Sequence, residues 1–198
     1  MKKIIALLVA VMMFSLVACG NQDGADGNNS SGAKAGWLEG KLVFEGKEMQ
    51  LPCKFSELES MGWKLKEGTE ISDAIVYGPE MVFCVNDNYY DFINVSLYTD
   101  KQEKVSASEC DVISIIVNGM MGEPEDHPSI SIDGLTLGDS KEKMIEIFGE
   151  PDESREDSSN SSYLYRKMDE KMSYSVSVSI MDGKIYMLGL VAQPIPQY

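Results

Sequence analysis

The stretch "ISIDGLTLGDSKEKMIEIFGEPD", residues 130–152, carries the signals of a strand, a turn and a helix in direct succession. Ile130 and Ile132 alternate with polar residues, which is the period-2 pattern of a short half-buried strand. The pair Asp133-Gly134 that follows is a turn signal. The stretch therefore begins as a β-strand and changes direction before the helix starts.

The helix in this stretch has a predicted start, face and end. Asp139 is predicted to be its N-cap, and Glu142 three residues later completes a capping-box pattern. Gly149 fits the left-handed position after the last turn, and Pro151 prevents continuation. Four apolar residues lie at the spacing of one helical face: Leu137, Met144, Ile145 and Phe148. Since each residue type has a structural use, the stretch is predicted to be scaffold and not an active-site loop.

The first half of the chain follows the same plan. Leu42 to Phe44 has the pattern of a short strand, and Glu45-Gly46 is a turn pair. Ser56 and Glu59 form a second capping-box pattern, which opens a short helix that ends at Gly62.

Three strand-like runs follow each predicted helix. In the first half they are Met81 to Val85, Asp91 to Tyr98 and Asp111 to Val117, and in the second half Tyr163 to Met168, Ser173 to Met181 and Lys184 to Val191. The pair Asp182-Gly183 between the last two runs predicts a two-residue hairpin.

These elements predict an α+β protein of two similar units, each a short helix packed on an antiparallel sheet of three to four strands. The first unit is predicted at residues 37–117 and the second at 130–198. Residues 118–129, where Gly, Pro and acidic residues collect, are predicted to be a linker. A single α+β domain with a longer mixed sheet is the alternative.

The first residues predict export and a lipid anchor. Two lysines precede an apolar run, Ile4 to Ala18, that is shorter than the ~20 residues of a membrane span, so residues 1–18 are predicted to be a signal peptide. Leu16-Val17-Ala18-Cys19 resembles the lipobox of bacterial lipoproteins. The resemblance implies cleavage before Cys19 and attachment of acyl chains to it. Residues 19–36, rich in Gly, Asn and Ser, are then a flexible tether. An ordinary secreted protein and an uncleaved membrane helix are the alternatives.

A second resemblance concerns the folded part. "GLTLGDSKEKMIEIFGEPD", residues 134–152, resembles a helix element of proteins built like the β-lactamase inhibitor protein and of the outer-membrane β-barrel assembly lipoprotein. It is also similar to lipoproteins of Gram-positive gut bacteria that carry an "LG-x-S" helix element. The resemblance implies tandem α+β units. It implies no activity, because the matching positions are the helix and its caps.

Charge, cysteines and motifs argue against several classes of function. The net charge of −15 disfavours nucleic acid, which needs a basic patch. Cys53, Cys84 and Cys110 are spaced too widely for a zinc site, and they are predicted to be buried thiols, with one disulfide as the alternative. His127, the only histidine, lies in the predicted linker. Because no hydrolase, nucleotide or metal motif is present, no catalysis, cofactor or metal is predicted.

Two predicted strands have a polar face opposite an apolar one. Val176 and Val178 alternate with serines, and Val95 alternates with Asn94 and Ser96. The candidates for binding a partner are Asn94, Ser96, Tyr98, Ser175, Ser177 and Tyr186. Tyr163 and Tyr165 are candidates for extending that face. Tyr, Ser and Asn are typical of recognition surfaces, although outward strand positions favour similar residues for solubility alone.

Taken together, these patterns predict a binding or envelope-assembly module, held by lipid on the extracytoplasmic face of a bacterial membrane. Its predicted partner is a protein or a glycan, bound through an exposed sheet face without catalysis. An inhibitor or sensor domain that occludes an extracellular enzyme is the alternative. A carboxylate-dependent hydrolase is a third reading, because pairs of carboxylates that meet in space cannot be recognised in a sequence.

Overall fold

The computed structural model describes residues 41–67, 80–89, 93–101, 105–119 and 126–195. Cys19, the predicted signal peptide and the predicted tether lie outside these ranges. Within the described ranges, no helix has both the length and the apolar character needed to cross a membrane.

The described residues form thirteen strands, two α-helices and a 3₁₀ turn at Ala107–Glu109. The strands are β1 Leu42–Phe44, β2 Lys47–Met49, β3 Cys53–Lys54, β4 Lys64–Leu65, β5 Glu80–Val85, β6 Ile93–Tyr98, β7 Asp111–Asn118, β8 Ile130–Ile132, β9 Leu135–Thr136, β10 Glu153–Glu156, β11 Asn160–Met168, β12 Met172–Met181 and β13 Lys184–Pro194. The helices are α1 Phe55–Glu59 and α2 Lys141–Phe148.

Nine strands form one large antiparallel sheet in the order β10-β11-β12-β13-β7-β6-β5-β4, with β3 paired to part of β7. Its centre is the pair of β7 and β13, whose register places Ile115 opposite Leu190. The predicted antiparallel pairing is confirmed, and the fold is mostly sheet, with only two α-helices in the described ranges. The strands of the two halves do not form two separate sheets, however, because β7 and β13 bond to each other and make the sheet continuous.

A smaller four-stranded sheet has the order β2-β1-β8-β9 and consists of two hairpins joined where β1 pairs with β8. The hairpin turns are Glu45-Gly46, with φ of 49° and 75°, and Asp133-Gly134, with φ of 50° and 90°. Asp182-Gly183 between β12 and β13 has the same positive φ values, 51° and 76°. Two positive φ angles are typical of a type I′ turn, which matches the right-handed twist of the strands. All three turns confirm the sequence prediction.

One continuous core fills the space between the two sheets and the two helices. The predicted inner faces of the strands are confirmed, since Val95, Val176 and Val178 are fully buried. Helix α2 buries Met144 and Phe148 as its spacing predicts, whereas Leu137 and Ile145 are only partly buried.

The predicted helix starts are wrong by one or two residues. Ser140, not Asp139, is the N-cap of α2, and its hydroxyl accepts from the Lys143 amide at 3.4 Å. Helix α1 begins after Lys54, so Ser56 lies inside it and makes no cap. Burial of Phe55 decides that start, because tertiary packing outweighs a weak local capping signal. Gly149 ends α2 with a φ of 81°, as predicted.

Asp139 closes the turn before α2. Its carboxylate accepts from the Thr136 amide at 2.8 Å and hydroxyl at 3.0 Å, and it pairs with Lys143 at 2.9 Å. Burial opposes its ionisation, but the hydrogen bonds from Lys143 and Thr136 outweigh this and hold the pKa of the carboxyl below its ordinary value.

Replacing Asp139 by alanine should therefore lower the free energy of unfolding by about 1 kcal/mol at neutral pH. A lowered folded-state pKa stabilises the protein above the pKa of the unfolded carboxyl, and this contribution disappears as the pH falls through the folded-state pKa. The difference in Tm between parent and Asp139→Ala should accordingly shrink below about pH 4. A difference that stays constant into acid would contradict this assignment.

Both ends of the large sheet are poor templates for further pairing. Strand β10 is exposed along its whole length and carries Glu153, Arg155 and Glu156, and β4 at the other end has only two residues. Glu156 is also tied to Lys141 of α2 at 2.6 Å. Charged or very short edge strands resist pairing with another chain.

The ends of the predicted linker are packed into the fold. Asn118 is the last residue of β7, and His127 and Pro128 are buried. The carbonyl of Ser129 accepts from the Glu45 amide at 2.9 Å. These contacts fix residues 127–129 beside the hairpin sheet.

Candidate functional site

Four of the predicted binding residues lie on one face of the large sheet. Residues paired across antiparallel strands point to the same side. One row runs through Ser175, Val191, Ser114, Ser96 and Met81, and the next runs through Ser177, Gly189, Ile116, Asn94 and Phe83. These residues alternate with fully buried core residues, so the rows lie on the side away from the core. Most of them are partly buried, and Ser114 and Gly189 are themselves buried. We call Asn94, Ser96, Ser114, Ser175 and Ser177 the serine face.

Strand β7 supplies the centre of this face, although the sequence pattern of β7 did not predict a polar outer side. Ser114 and Ile116 of β7 connect Asn94 and Ser96 to the serines of β12. Strand β7 reads as "DVISIIVN" without strict alternation, because a register irregularity leaves Ile113 unpaired between Val112 and Ser114. Because of this bulge, polar and apolar residues do not alternate along β7, so the sequence gives no sign that Ser114 lies on the outer side.

Two polar atoms of the serine face lack hydrogen-bond partners. Asn94 Oδ1 and Ser114 Oγ are inaccessible to solvent and make no hydrogen bond in the described part of the chain. An unsatisfied buried polar atom costs about 1–3 kcal/mol. Because neither atom is accessible to solvent, a docked molecule could bond to them only if neighbouring side chains moved.

The serine face continues into apolar side chains and carries no charge. Met81 and Phe83 of β5 pair with Ser96 and Asn94, and they are 61% and 38% exposed. Neither row contains a charged residue between β5 and β12. In a chain with a net charge of −15, this is an uncharged strip across the middle of a sheet.

The predicted tyrosines are placed differently from one another. Tyr98 lies at the end of β6, two residues beyond Ser96 on the same side, and is half-buried. Tyr186 falls at a register irregularity of β13, outside the two rows, and its hydroxyl bonds to Asn160 at 3.0 Å. The structure therefore brings Tyr98 to the edge of the serine face and does not bring Tyr186 there.

Tyr163 and Tyr165 do not extend the face. Both are buried on the core side of β11, where they pair with Val178 and Val176. The hydroxyl of Tyr163 donates to Glu156 at 2.8 Å and that of Tyr165 to the Gly149 carbonyl at 3.1 Å. The expectation that they face outward is wrong, because a tyrosine can be buried when its hydroxyl is satisfied.

The three cysteines of the folded part are buried free thiols. Burial raises the pKa of Cys84 to about 12, and burial together with the Glu57 carboxylate raises the pKa of Cys53 to about 12. Burial also raises the pKa of Cys110. Since the thiolate is the reactive form, these environments suit structural residues and not nucleophiles.

The candidate site contains no cluster of metal ligands in the described ranges and has no counterpart in a known relative. Among the described ranges, no group of three or more His, Cys, Asp or Glu side chains could hold a metal ion. No family model, curated protein or solved structure matches the chain. The candidate site is thus defined by the geometry of the serine face and its apolar neighbours.

Proposed function

We propose that the protein is a lipid-anchored extracytoplasmic module that binds a protein partner through the serine face. The observation that carries this proposal is the uncharged strip formed by residues of both halves of the chain, with exposed Met81 and Phe83 beside it. The module is non-catalytic in this proposal. Cys19 holds it on the outer side of a bacterial membrane, and residues 19–36 separate the folded part from the lipid.

A protein partner fits this surface better than a glycan. The centres of protein interfaces are depleted in charged residues and enriched in methionine and aromatic side chains. Met81 and Phe83 provide the apolar contacts, while serine and asparagine provide hydrogen bonds that adapt to the partner.

We also infer that the chain consists of two similar α+β units that share the large sheet. Each half has a hairpin with a positive-φ turn, a short helix and then four strands. In the large sheet the last strands of the halves, β7 and β13, pair at the centre. In the small sheet the first strands, β1 and β8, do the same. This arrangement supports a repeat related by an approximate twofold axis, with each unit supplying half of the serine face.

Site-specific cross-linking on the cell tests the binding proposal. A photo-reactive amino acid placed at Ser96 of the full-length lipoprotein should cross-link to one protein, whereas the same residue at exposed Ser158 should not. Adding Ser177→Arg should reduce the Ser96 cross-link at least tenfold, because an unpaired charge then enters the uncharged strip. The matched control is Ser158→Arg, which should leave the cross-link unchanged.

The outcomes separate the alternatives. Equal labelling from Ser96 and Ser158, or a Ser96 cross-link that survives Ser177→Arg in a folded variant, would refute the proposed face. Cross-linking to a glycan polymer instead of a protein would assign the other partner class. If the captured partner is an enzyme whose activity falls on binding, the module is an inhibitor.

A further inference from the structure

A cavity of about 360 Å³ lies at the large sheet, and no residue of the serine face lines it. It forms where the turn between β12 and β13 meets the end of β9 and residues 127–130. Its walls are mostly apolar and include Pro128, Ile130, Leu137, Met181, Ile185 and Tyr186. Sites for small molecules usually occupy about 300–1,000 Å³, so this cavity lies at the small end of that range.

Backbone hydrogen bonds fix the walls of this cavity. The Gly119 amide donates to the Tyr186 carbonyl at 2.6 Å, and the Gly138 amide donates to the Ile185 carbonyl at 2.8 Å. Glycine at position 119 lets the side chains of Leu137 and His127 approach the backbone. A Cβ there would lie 3.2 Å from Leu137 Cδ1 and 3.3 Å from His127 Cδ2. The cavity is therefore preformed, and a ligand does not have to order its walls.

Two residues of opposite charge line the cavity. Lys184 and Asp182 both line the cavity and both are exposed. Neither side chain has a hydrogen bond or an ion pair with any residue in the described ranges. A ligand with an apolar body and two opposite charges at one end would complement this arrangement.

The geometry points to a binding site for a free apolar α-amino acid. Its side chain fills the cavity, its carboxylate faces Lys184 and its ammonium faces Asp182. With each liquid water occupying about 30 Å³, the volume corresponds to roughly twelve waters, which is enough room for an apolar side chain. The site is separate from the serine face and does not depend on the function proposed for that face.

Calorimetric titration of the purified mature protein tests this assignment. L-Phenylalanine should bind, and glycine, which lacks the apolar side chain, should not. 3-Phenylpropionate lacks the ammonium and 2-phenylethylamine lacks the carboxylate, so each should bind about two- to fivefold more weakly than phenylalanine, the effect of one exposed charge pair. Equal affinity for all three aromatic compounds, or no binding of phenylalanine at millimolar concentrations, would overturn the assignment.

Two conservative variants connect the binding to the named side chains. Lys184→Gln should weaken phenylalanine and phenylpropionate but not phenylethylamine, and Asp182→Asn should have the reciprocal effect. Asparagine before Gly183 suits a type I′ turn, so the second variant keeps the hairpin. Lys167→Gln, at an exposed lysine of β11, is the matched control and should change nothing. Variants that behave like this control would place phenylalanine elsewhere and refute the site.

Discussion

Replacing Cys19 by alanine should move nearly all of the protein from the membrane fraction into the soluble extracytoplasmic fraction. Two or three acyl chains stabilise membrane attachment by about 0.8 kcal/mol per buried methylene, so their loss removes the whole anchor. Without the cysteine thiol no diacylglyceryl group can be attached, and the acidic surface gives no substitute, because anionic lipids attract basic segments. Detergent phase separation followed by immunoblotting measures the shift.

A matched control separates lipidation from a general effect of losing a cysteine. Cys53→Ala removes a buried thiol from the folded part and should leave the protein in the detergent phase. Globomycin, which blocks lipoprotein signal peptidase, should cause the uncleaved form of the parent to accumulate. A Cys19→Ala product that has lost residues 1–18 and still enters the detergent phase would refute the lipid anchor.

Replacing Gly189 by valine should lower the free energy of unfolding by about 1–3 kcal/mol. Gly189 lies at the centre of the large sheet, where β13 pairs with β7, and the Ile116 side chain covers it. A Cβ at this position would lie 2.6 Å from Ile116 Cγ1 and 3.1 Å from its Cβ, which is too close for either side chain to stay in place. Urea denaturation measures the loss.

A double-mutant cycle assigns this effect to the contact with Ile116. Gly189→Ala alone should destabilise the protein, and combining it with Ile116→Ala should recover part of the loss, because the closest atom is then removed. The serine face should lose its partner in Gly189→Val as well, since Gly189 lies between Ser177 and Ile116. Additive effects of the two alanine substitutions would show that the clash is not the cause.

Local signals in the sequence predicted most of the elements. The pair Asp182-Gly183 predicted a hairpin and Asp133-Gly134 a turn, because positive φ angles leave few alternatives to glycine. The helix starts were less accurate, since Asp139 and Ser140 are both good N-caps and only the bond to Thr136 decides between them. The pairing of β7 with β13 was not predictable, because it joins residues far apart in the chain and leaves no local pattern.

The candidate site was predicted where strands alternate regularly and missed where they bulge. Asn94 and Ser177 lie on β6 and β12, where apolar and polar residues alternate, and both were assigned to an outward face. Ser114 and Tyr186 lie beside register irregularities, and the first was overlooked while the second was placed on the wrong surface. The cavity near Lys184 is built from separate parts of the chain, so no single segment indicates it.

A lipid anchor confines its protein to two dimensions, where neighbouring copies meet far more often than they would in free solution. At high local concentration, exposed edge strands of β-sheets tend to pair with those of neighbouring molecules. Here one rim, β10, consists of exposed charged and polar residues and the other, β4, has only two residues. Under the proposed lipid anchor, copies crowded on a membrane would therefore find no edge strand suited to pairing. Each anchored copy would then stay separate from its neighbours, which is what a module that binds a different protein requires.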